Sequence, residues 1–325
     1  MKAVVYHSDG LRFEEIQKPV PADHEVLIKV RAASLNALDS HLLEHPSMRR
    51  VLSAMGKAKT TRPGRDVAGE VEAVGSKVTG FKPGDAVFGA GDGTCAEYVC
   101  TKETALVIKP ESLSFEHAAA VPVAGLTALQ GMRDSGKLQR GQKVLINGAA
   151  SGVGTFAVQI ARSFGGNVTA VCSTRNVEMV RMLGADRVFD YTLEDFAKSG
   201  ERYDLIFDLV SNHSFSEHRR VLNPRGIYIG AGVLGLKSMS GLLPRLGTEL
   251  MMSRFVSQKF VTFMAKLKQD DLTILGDLIT AGEVTPVIDR TYSLSEAPEA
   301  VRYLAGRHAR GKVIVVVNQQ VTQIE

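Results

Sequence analysis

The chain of 325 residues is long enough for two domains, and its composition, 44% hydrophobic and 23% charged, is ordinary for a globular protein. Lys and Arg exceed Asp and Glu by 39 − 35, a net charge of +4 without a long basic run, so the sequence gives no support for nucleic acid or a membrane as partner. Charges interrupt every apolar stretch within about twenty residues, and neither a membrane span nor a signal peptide is predicted. Three cysteines, few and odd in number, favour a reducing compartment, and we expect a cytoplasmic protein.

Residues 1 to about 120 predict a β-rich domain, because short β-prone runs are separated there by turns that contain Pro, Gly and Asp. Residues 34–43 indicate a short helix or turn that leads away from the sheet. Residues 47–61 are basic, lack firm periodicity and indicate a mobile loop. The predicted strands are residues 2–6, 25–32, 68–74, 86–89 and 96–100.

The chain changes character at residues 114–131, an Ala-rich segment, helical around Pro122, that we interpret as the passage into a second domain. Beyond it strands alternate with helices, and this pattern predicts an α/β fold with a doubly wound parallel sheet. The helices between the strands include residues 177–183 and 215–222. The predicted strands are residues 143–147, 167–172, 187–190, 203–209 and 226–230.

The last third of the chain contains five further segments. Residues 234–253 are rich in Leu and Met; a core-packing helix is one interpretation, and an adaptable wall of an apolar pocket is another. Residues 258–264 predict one more strand, and residues 270–281 and 295–306 predict two helices. Residues 312–317 predict a strand that returns to the first domain.

The most informative stretch is KVLINGAASGVGTFAVQIARSF, residues 143–164. A short apolar strand leads into a run of small residues, and the helix that follows carries one apolar stripe. The glycine fingerprint of a dinucleotide site is degenerate, because Ala149, Ser151 and Gly154 hold its three positions. A tight strand-to-helix connection without a ligand is the alternative. The second apolar strand, about twenty residues further on, favours a dinucleotide whose pyrophosphate lies at the helix N-terminus.

The end of that second strand indicates which dinucleotide binds. An NAD site usually holds an Asp or Glu there for the ribose 2′-OH, whereas this chain has Ser-Thr-Arg-Asn at residues 173–176 and no carboxylate before Glu178. Two hydroxyls and a guanidinium suit a 2′-phosphate, so we predict NADPH rather than NADH. A solvent-exposed Arg175 that opens the next helix is the alternative.

Seven short motifs follow one another in a specific order: SLNALD at 34–39, PGRDVAG at 63–69, KPGDAV at 82–87, GLTA at 125–128, ASGVG at 150–154, LGAD at 183–186 and GKV at 311–313. With them the chain resembles, over nearly its whole length, the zinc-independent quinone oxidoreductases of the medium-chain dehydrogenase/reductase superfamily, the zeta-crystallin-like proteins. The resemblance implies a Rossmann cofactor-binding domain over residues 121–263. It implies a GroES-like catalytic domain over residues 1–120 and 264–325.

The chain departs from the zinc-dependent relatives at the positions where those enzymes hold zinc. They carry Gly-His-Glu where Gly-Arg-Asp stands at residues 64–66, and their catalytic cysteine is expected near Asn36. Arg cannot ligate zinc, and three cysteines are too few for a structural zinc lobe, so we predict no metal. His41 and His45 are spaced for a metal on one helix face, but without a third ligand nearby a solvated helix face is preferred.

The resemblance also implies the site residues. Asn36 and Thr127 are expected at the nicotinamide end, where each can hydrogen-bond the carboxamide or a substrate oxygen; a capping or turn role is the alternative for both. For Asp39 a local cap is preferred over substrate contact. The expected cofactor contacts are Ala150, Ser151, Gly152, Val153, Gly154, Ser173, Thr174, Arg175, Tyr191, Asn212, Ala231 and Lys312.

Without a Lewis acid a simple alcohol is a poor substrate, whereas a conjugated carbonyl can accept hydride while hydrogen bonds hold the developing enolate oxygen. We therefore predict NADPH-dependent reduction of quinones or α,β-unsaturated carbonyls in a cleft between the two domains, with water able to supply the proton. A zinc-free alcohol or ketone oxidoreductase is one alternative, and an NADPH-binding structural or regulatory protein with little turnover is another. The apolar strand at residues 258–264 predicts a homodimer.

Overall fold

A computed structural model describes residues 1–47, 62–231, 257–306 and 308–317. The chain divides into two compact units. The first unit comprises Met1–Ala124, Leu267–Thr280 and Pro286–Glu325, and the second comprises Gly125–Lys266 and Ala281–Thr285. The predicted mobile loop, beyond its first residue, and the Leu/Met-rich segment at 234–253 lie outside the described residues, so both stay predictions.

The described strands are β1 (Lys2–His7), β2 (Gly10–Glu15), β3 (Glu25–Leu35), β4 (Asp66–Val74), β5 (Ala86–Ala90), β6 (Tyr98–Lys102), β7 (Leu106–Ile108), β8 (Lys143–Asn147), β9 (Asn167–Cys172), β10 (Arg187–Asp190), β11 (Tyr203–Asp208), β12 (Leu222–Ala231), β13 (Lys259–Phe263), β14 (Ile288–Ser293) and β15 (Lys312–Val316). The described helices are α1 (Ala37–Glu44), α2 (Phe115–Ala120), α3 (Pro122–Gln130), α4 (Gly152–Ser163), α5 (Val177–Met182), α6 (Phe215–Val221), α7 (Gln269–Thr280) and α8 (Ala297–Ala305).

The first unit holds the hairpin β1-β2 and a seven-stranded sheet with the order β14-β15-β3-β4-β5-β7, in which β6 also pairs with β3. The C-terminal strand β15 lies antiparallel to β3, with Val313 opposite Leu35, and β3 lies antiparallel to β4, with Ser34 opposite Asp66. The start of β15, the end of β3 and the start of β4 therefore share one edge of the sheet. The predicted return of the last strand to the first domain is confirmed.

The second unit holds six parallel strands in the order β10-β9-β8-β11-β12-β13. This order reverses between β8 and β11, and such a switch point is where open α/β sheets bind ligands beyond the carboxyl ends of their strands. The predicted α/β class with a doubly wound parallel sheet is confirmed. Asn147 ends β8 opposite Asp208, which ends β11, so two polar side chains lie at the switch point.

The strand sequences are largely apolar because their side chains are buried in the cores of the two units. Side chains such as Ile28, Phe88, Leu145 and Phe207 are fully buried, and each contributes about 1.5–3 kcal/mol relative to exposure. Among the described residues, no helix is both long and apolar enough to cross a membrane.

The structure differs from the predictions where strand pairing depends on distant residues. Strands β2, β7 and β14 were not predicted from the sequence, because their short or charged runs carry a weak periodic signal. The strand predicted at residues 96–100 is two residues later, since Ala96 forms only an isolated bridge to Ala3. β3 extends three residues beyond the predicted end because its last residues pair with β15.

Candidate functional site

The turn between β8 and α4 forms the predicted phosphate-binding element. Gly148 adopts a positive φ of 91°, which glycine tolerates best. The N–H groups of Gly148 and Ala149 donate to the carbonyl of Val171 at 3.2 and 3.0 Å, and these bonds hold the turn against β9. The turn is therefore a fixed backbone path and not a loose connection.

The N-terminus of α4 has the backbone geometry of an anion-binding site. Ser151 is the N-cap, and its Oγ accepts the N–H of Gly154 at 3.1 Å. The N–H groups of Gly152 and Val153 have no acceptor within the helix, because first-turn amides lack a preceding helical carbonyl. They lie at the positive end of the helix dipole, where a pyrophosphate is stabilised.

Gly154 is required by close packing between the helix and the turn. A Cβ at this residue would lie 2.2 Å from the carbonyl oxygen of Gly148 and 2.7 Å from backbone atoms of Ala149. Because these neighbours are backbone atoms, they cannot move aside without distorting the turn.

We predict that Gly154→Ala lowers the free energy of unfolding by about 2 kcal/mol or more, since the new methyl group overpacks against backbone. Gly276→Ala in α7 is the matched control, because its Cβ would meet nothing closer than 3.7 Å. The control should be neutral or stabilising by about 0.5–1 kcal/mol. Urea unfolding of both variants checks this, and equal stability of the two would contradict the packing argument.

The residues predicted to hold a 2′-phosphate lie around the carboxyl ends of β9 and β10. The N–H of Tyr191 donates to the carbonyl of Cys172 at 3.0 Å, and Thr174 Oγ1 lies 2.9 Å from Thr192 Oγ1. Arg175 and Tyr191 are exposed. The predicted group of Ser173, Thr174, Arg175 and Tyr191 is thus brought to one edge of the sheet, and its binding role stays a prediction.

A buried polar network lies at the switch point, and the sequence analysis did not identify it. Asn147 Nδ2 lies 2.9 Å from both Asp208 Oδ1 and Asn212 Oδ1. Asp208 Oδ1 also accepts the N–H groups of Val210 and Ser211 at 3.0 and 2.9 Å, and Ser211 adopts a positive φ of 59°. The carboxylate therefore shapes the loop that carries Asn212, a predicted cofactor contact.

The second oxygen of Asp208 is also occupied. Tyr228 donates its O–H to Oδ2 at 2.9 Å, and His218 Nε2 lies 3.3 Å from the same atom. Burial tends to raise the pKa of Asp208, but its interactions with His218 and the two backbone N–H groups outweigh burial and lower the pKa to about 2. The sequence signal was available: Asn147 and Asp208 are the polar last residues of otherwise apolar strands.

The lowered pKa of Asp208 predicts an acid-dependent stability. Since the folded pKa of about 2 lies below the reference value of 3.8, the contribution is fully present above about pH 4 and is lost as the pH falls through 2. It should amount to roughly 2 kcal/mol. Urea unfolding of the wild type and Asp208→Asn between pH 2 and 6 should show a stability difference that narrows with acid. A constant difference would contradict the ionised state assigned to Asp208.

In the first unit, three side chains meet at the sheet edge shared by β15, β3 and β4. Lys312 Nζ donates to Asn36 Oδ1 at 2.7 Å and to Asp66 Oδ2 at 3.1 Å, and Asn36 Nδ2 donates to Asp66 Oδ2 at 3.0 Å. Asp66 is fully buried and Lys312 is only 3% exposed. Sequence analysis predicted Asn36 as catalytic and Lys312 as a cofactor contact but did not connect them.

Asp39 acts as the local cap that the sequence predicted. Its carboxylate accepts the N–H groups of Asn36 and Gly64, both at 2.8 Å. Burial raises its pKa to about 6, although these two hydrogen bonds oppose the shift. Because the fold disfavours the ionised form of Asp39, the contribution of this carboxyl group to the free energy of unfolding decreases as the pH rises from 3.8 towards 6.

The residues at the expected zinc position do not fit zinc. The side chain of Arg65 pairs with Asp92, and Asp66 is occupied by Lys312 and Asn36. A guanidinium and an amide are not zinc ligands, and the carboxylate bound by Lys312 is a single candidate ligand, too few for a tetrahedral zinc site.

The interpretation of His41 and His45 as a solvated helix face without a third ligand is wrong on two points. His41 is buried, at 4% exposure, and Glu44 contributes a third candidate ligand. The potential ligand atoms of His41, Glu44 and His45 lie within 4.8 Å of one another. The sequence signal for Glu44 was available, because residues i+3 and i+4 lie on the same helix face as residue i.

Two more predicted site residues have defined positions in the second unit. Thr127 lies half-buried inside α3, so the alternative that it is a capping or turn residue is wrong. Ala231 is the buried last residue of β12, at the carboxyl edge of the parallel sheet. Their contacts with ligands stay predictions.

Comparison with known proteins identifies the family. A model described as an alcohol dehydrogenase GroES-like domain matches residues 22–111, and one described as a zinc-binding dehydrogenase matches residues 183–315. The chain is 34% identical to a chloroplastic quinone oxidoreductase, QR1, of Triphysaria versicolor, over 97% of this chain and 98% of that protein. It is 35% identical to the mitochondrial NAD(P)H oxidoreductase RTN4IP1 of Mus musculus, over 90% of this chain and 82% of that protein.

The quinone oxidoreductase of Coxiella burnetii has a similar solved structure, with a TM-score of 0.87, 29% identity and coverage of 98% of this chain and 99% of that one. The sheet order, the phosphate turn and these relatives together define a nicotinamide-dependent oxidoreductase. The chain belongs to the quinone oxidoreductase branch of the medium-chain dehydrogenase/reductase superfamily, and the predicted GroES-like and Rossmann-type folds are confirmed.

Proposed function

We propose that this protein reduces quinones or other conjugated carbonyls with NADPH and without a catalytic metal. The observation that carries the proposal is the set of side chains around Asn36. Where zinc-dependent relatives have metal ligands, this chain has an amide held by a buried ammonium and a buried carboxylate. Such a site offers a hydrogen-bond donor but no Lewis acid.

A conjugated carbonyl suits this chemistry better than an alcohol. The reduced nicotinamide, when bound, supplies the hydride. A quinone or enone then develops negative charge on its oxygen, and a fixed N–H donor such as Asn36 Nδ2 stabilises that charge. An alcohol would need its O–H proton removed first, and in metal enzymes the bound metal assists that step. Water is the proposed proton donor to the enolate or hydroquinone oxygen.

The substrate assignment is tested by comparing specificity constants for a quinone, an enone, the matching saturated ketone and the matching alcohol. We expect the quinone or enone to be preferred, and prior chelation to leave its turnover unchanged. If the saturated ketone or alcohol is faster by tenfold or more, about 1.4 kcal/mol in the barrier, the protein is an alcohol or ketone oxidoreductase. If NADPH binds and nothing turns over, the binding-protein alternative holds.

The preference for NADPH rests on the residues at the end of β9. Ser173, Thr174 and Arg175 are partly or fully exposed and offer two hydroxyls and a guanidinium, and the acidic residue typical of NAD sites is missing. A 2′-phosphate can accept charge-assisted hydrogen bonds from all three side chains.

We expect NADPH to bind more tightly than NADH, and Arg175→Ala to narrow the ratio of dissociation constants by about tenfold or more, since such hydrogen bonds contribute about 1.5–3 kcal/mol. Arg181→Ala is the control, because Arg181 is also exposed and lies at the end of the next helix. Fluorescence titration with both nucleotides measures the ratio. An unchanged ratio in Arg175→Ala would remove Arg175 from the site.

A homodimer is proposed from the edge strand β13. This strand is the last of the described parallel sheet, and its Phe260, Val261 and Phe263 are only half-buried. Two such edges can pair about a two-fold axis, which would cover the N–H and C=O groups of β13 that pair with no other described strand. Light scattering at micromolar concentration should give the mass of a dimer, about twice 35.1 kDa. A monomer would contradict the proposal.

A further inference from the structure

We propose that Lys312 is a positioning residue that fixes which end of the Asn36 amide faces the ligand. This inference rests on the proposed function, because it assigns how the donor of that site is oriented. It differs from the sequence prediction that Lys312 itself contacts the cofactor.

The ammonium group of Lys312 is saturated with hydrogen bonds. Lys312 Nζ donates to Leu35 O at 3.1 Å, Asn36 Oδ1 at 2.7 Å and Asp66 Oδ2 at 3.1 Å. An ammonium has three N–H donors, and three acceptors from the same unit use all of them. Since the side chain is only 3% exposed, a phosphate could engage it only by displacing these partners.

The two charged neighbours of Asn36 allow its side-chain amide only one orientation. An ammonium can only donate, so the Asn36 atom beside Lys312 must be the oxygen. An ionised carboxylate can only accept, so the atom beside Asp66 must be the nitrogen. The two charged partners thus fix both ends of the amide, and one N–H of Nδ2 remains for a substrate oxygen or the carboxamide of the nicotinamide.

The pair of Lys312 and Asp66 is itself anchored by backbone contacts. Asp66 Oδ1 accepts the N–H of Val123 at 2.8 Å, so the carboxylate is held on its other side. Lys312 and Asp66 both begin strands of the same sheet, and Asn36 follows the end of the strand between them. Residues of three adjacent strands therefore set the orientation of the amide. A flip would place the Asn36 NH2 group against the Lys312 ammonium and the Asn36 oxygen against the Asp66 carboxylate.

The test uses Lys312→Met, Asn36→Ala and the double variant in the full-length protein. Lys312→Met should lower kcat for the quinone by about tenfold or more, because an unfixed donor loses orientation. The dissociation constant of NADPH for this variant should stay within about threefold of the wild-type value. The double variant should be no slower than Asn36→Ala alone, since residues that act as one unit are not additive.

Lys312→Met leaves the carboxylate of Asp66 buried without its ammonium and can destabilise the fold, so Lys312→Met with Asp66→Asn is the second variant. It removes both charges, keeps the side-chain volumes similar and allows the Asn36 amide to flip. We expect a folded protein with the same low kcat. Lys109→Met is the matched control, because Lys109 Nζ donates to the backbone carbonyls of Pro110 and Leu113 and, within the described part of the chain, to no carboxylate; it should retain wild-type kcat.

Two results together would overturn the inference. Lys312→Met would bind NADPH about tenfold more weakly, and its effect on kcat would multiply with that of Asn36→Ala in the double variant. Lys312 would then be a cofactor ligand. A wild type that reduces no quinone or enone would refute the proposed function. The orientation of Asn36 is then tested by NMR of its side-chain amide. That signal is identified because it is missing from the spectrum of Asn36→Ala. A shift or broadening of that signal in the uncharged double variant supports the inference, and an unchanged signal overturns it.

Discussion

The buried contact between Lys312 and Asp66 joins two parts of the chain that are 246 residues apart. Burying a charge pair is costly unless each ion is fully hydrogen-bonded, and here the carboxylate accepts from an amide and a backbone N–H while the ammonium donates to three oxygens. Removing one partner would leave an uncompensated charge in the sheet. The interaction therefore fixes the position of the C-terminal strand as well as the geometry around Asn36.

The second unit follows the same physical rule with a different set of groups. Asp208 is fully buried, and its oxygens accept from Asn147, Tyr228 and two backbone N–H groups. These bonds hold the loop after β11 against the end of β8, next to the phosphate turn. In each unit, one saturated carboxylate organises the edge of the sheet that carries the predicted ligand contacts, because an ion without such partners could not remain buried there.

The donors around Asn36 also define what chemistry the first unit can support. A positively charged ammonium lies 2.7 Å behind the Asn36 oxygen, and such a bond polarises the amide and strengthens its remaining N–H as a donor. A donor of this kind stabilises charge on a substrate oxygen without accepting a proton. This environment is consistent with the proposed substrate, a quinone or enone whose oxygen becomes anionic during hydride transfer.

The parallel sheet, the small-residue turn after β8 and the family were predictable from the sequence, because they depend on local apolar periodicity, small residues at one turn and motifs in a fixed order. The sequence also determined that Asp39 caps α1, a contact between residues three positions apart. It did not determine β14, the full length of β3, or the partners of Asn36 and Asp208. These features depend on strand pairing and on buried charge contacts between residues that are tens to hundreds of positions apart, and such contacts leave no periodic signal in the chain.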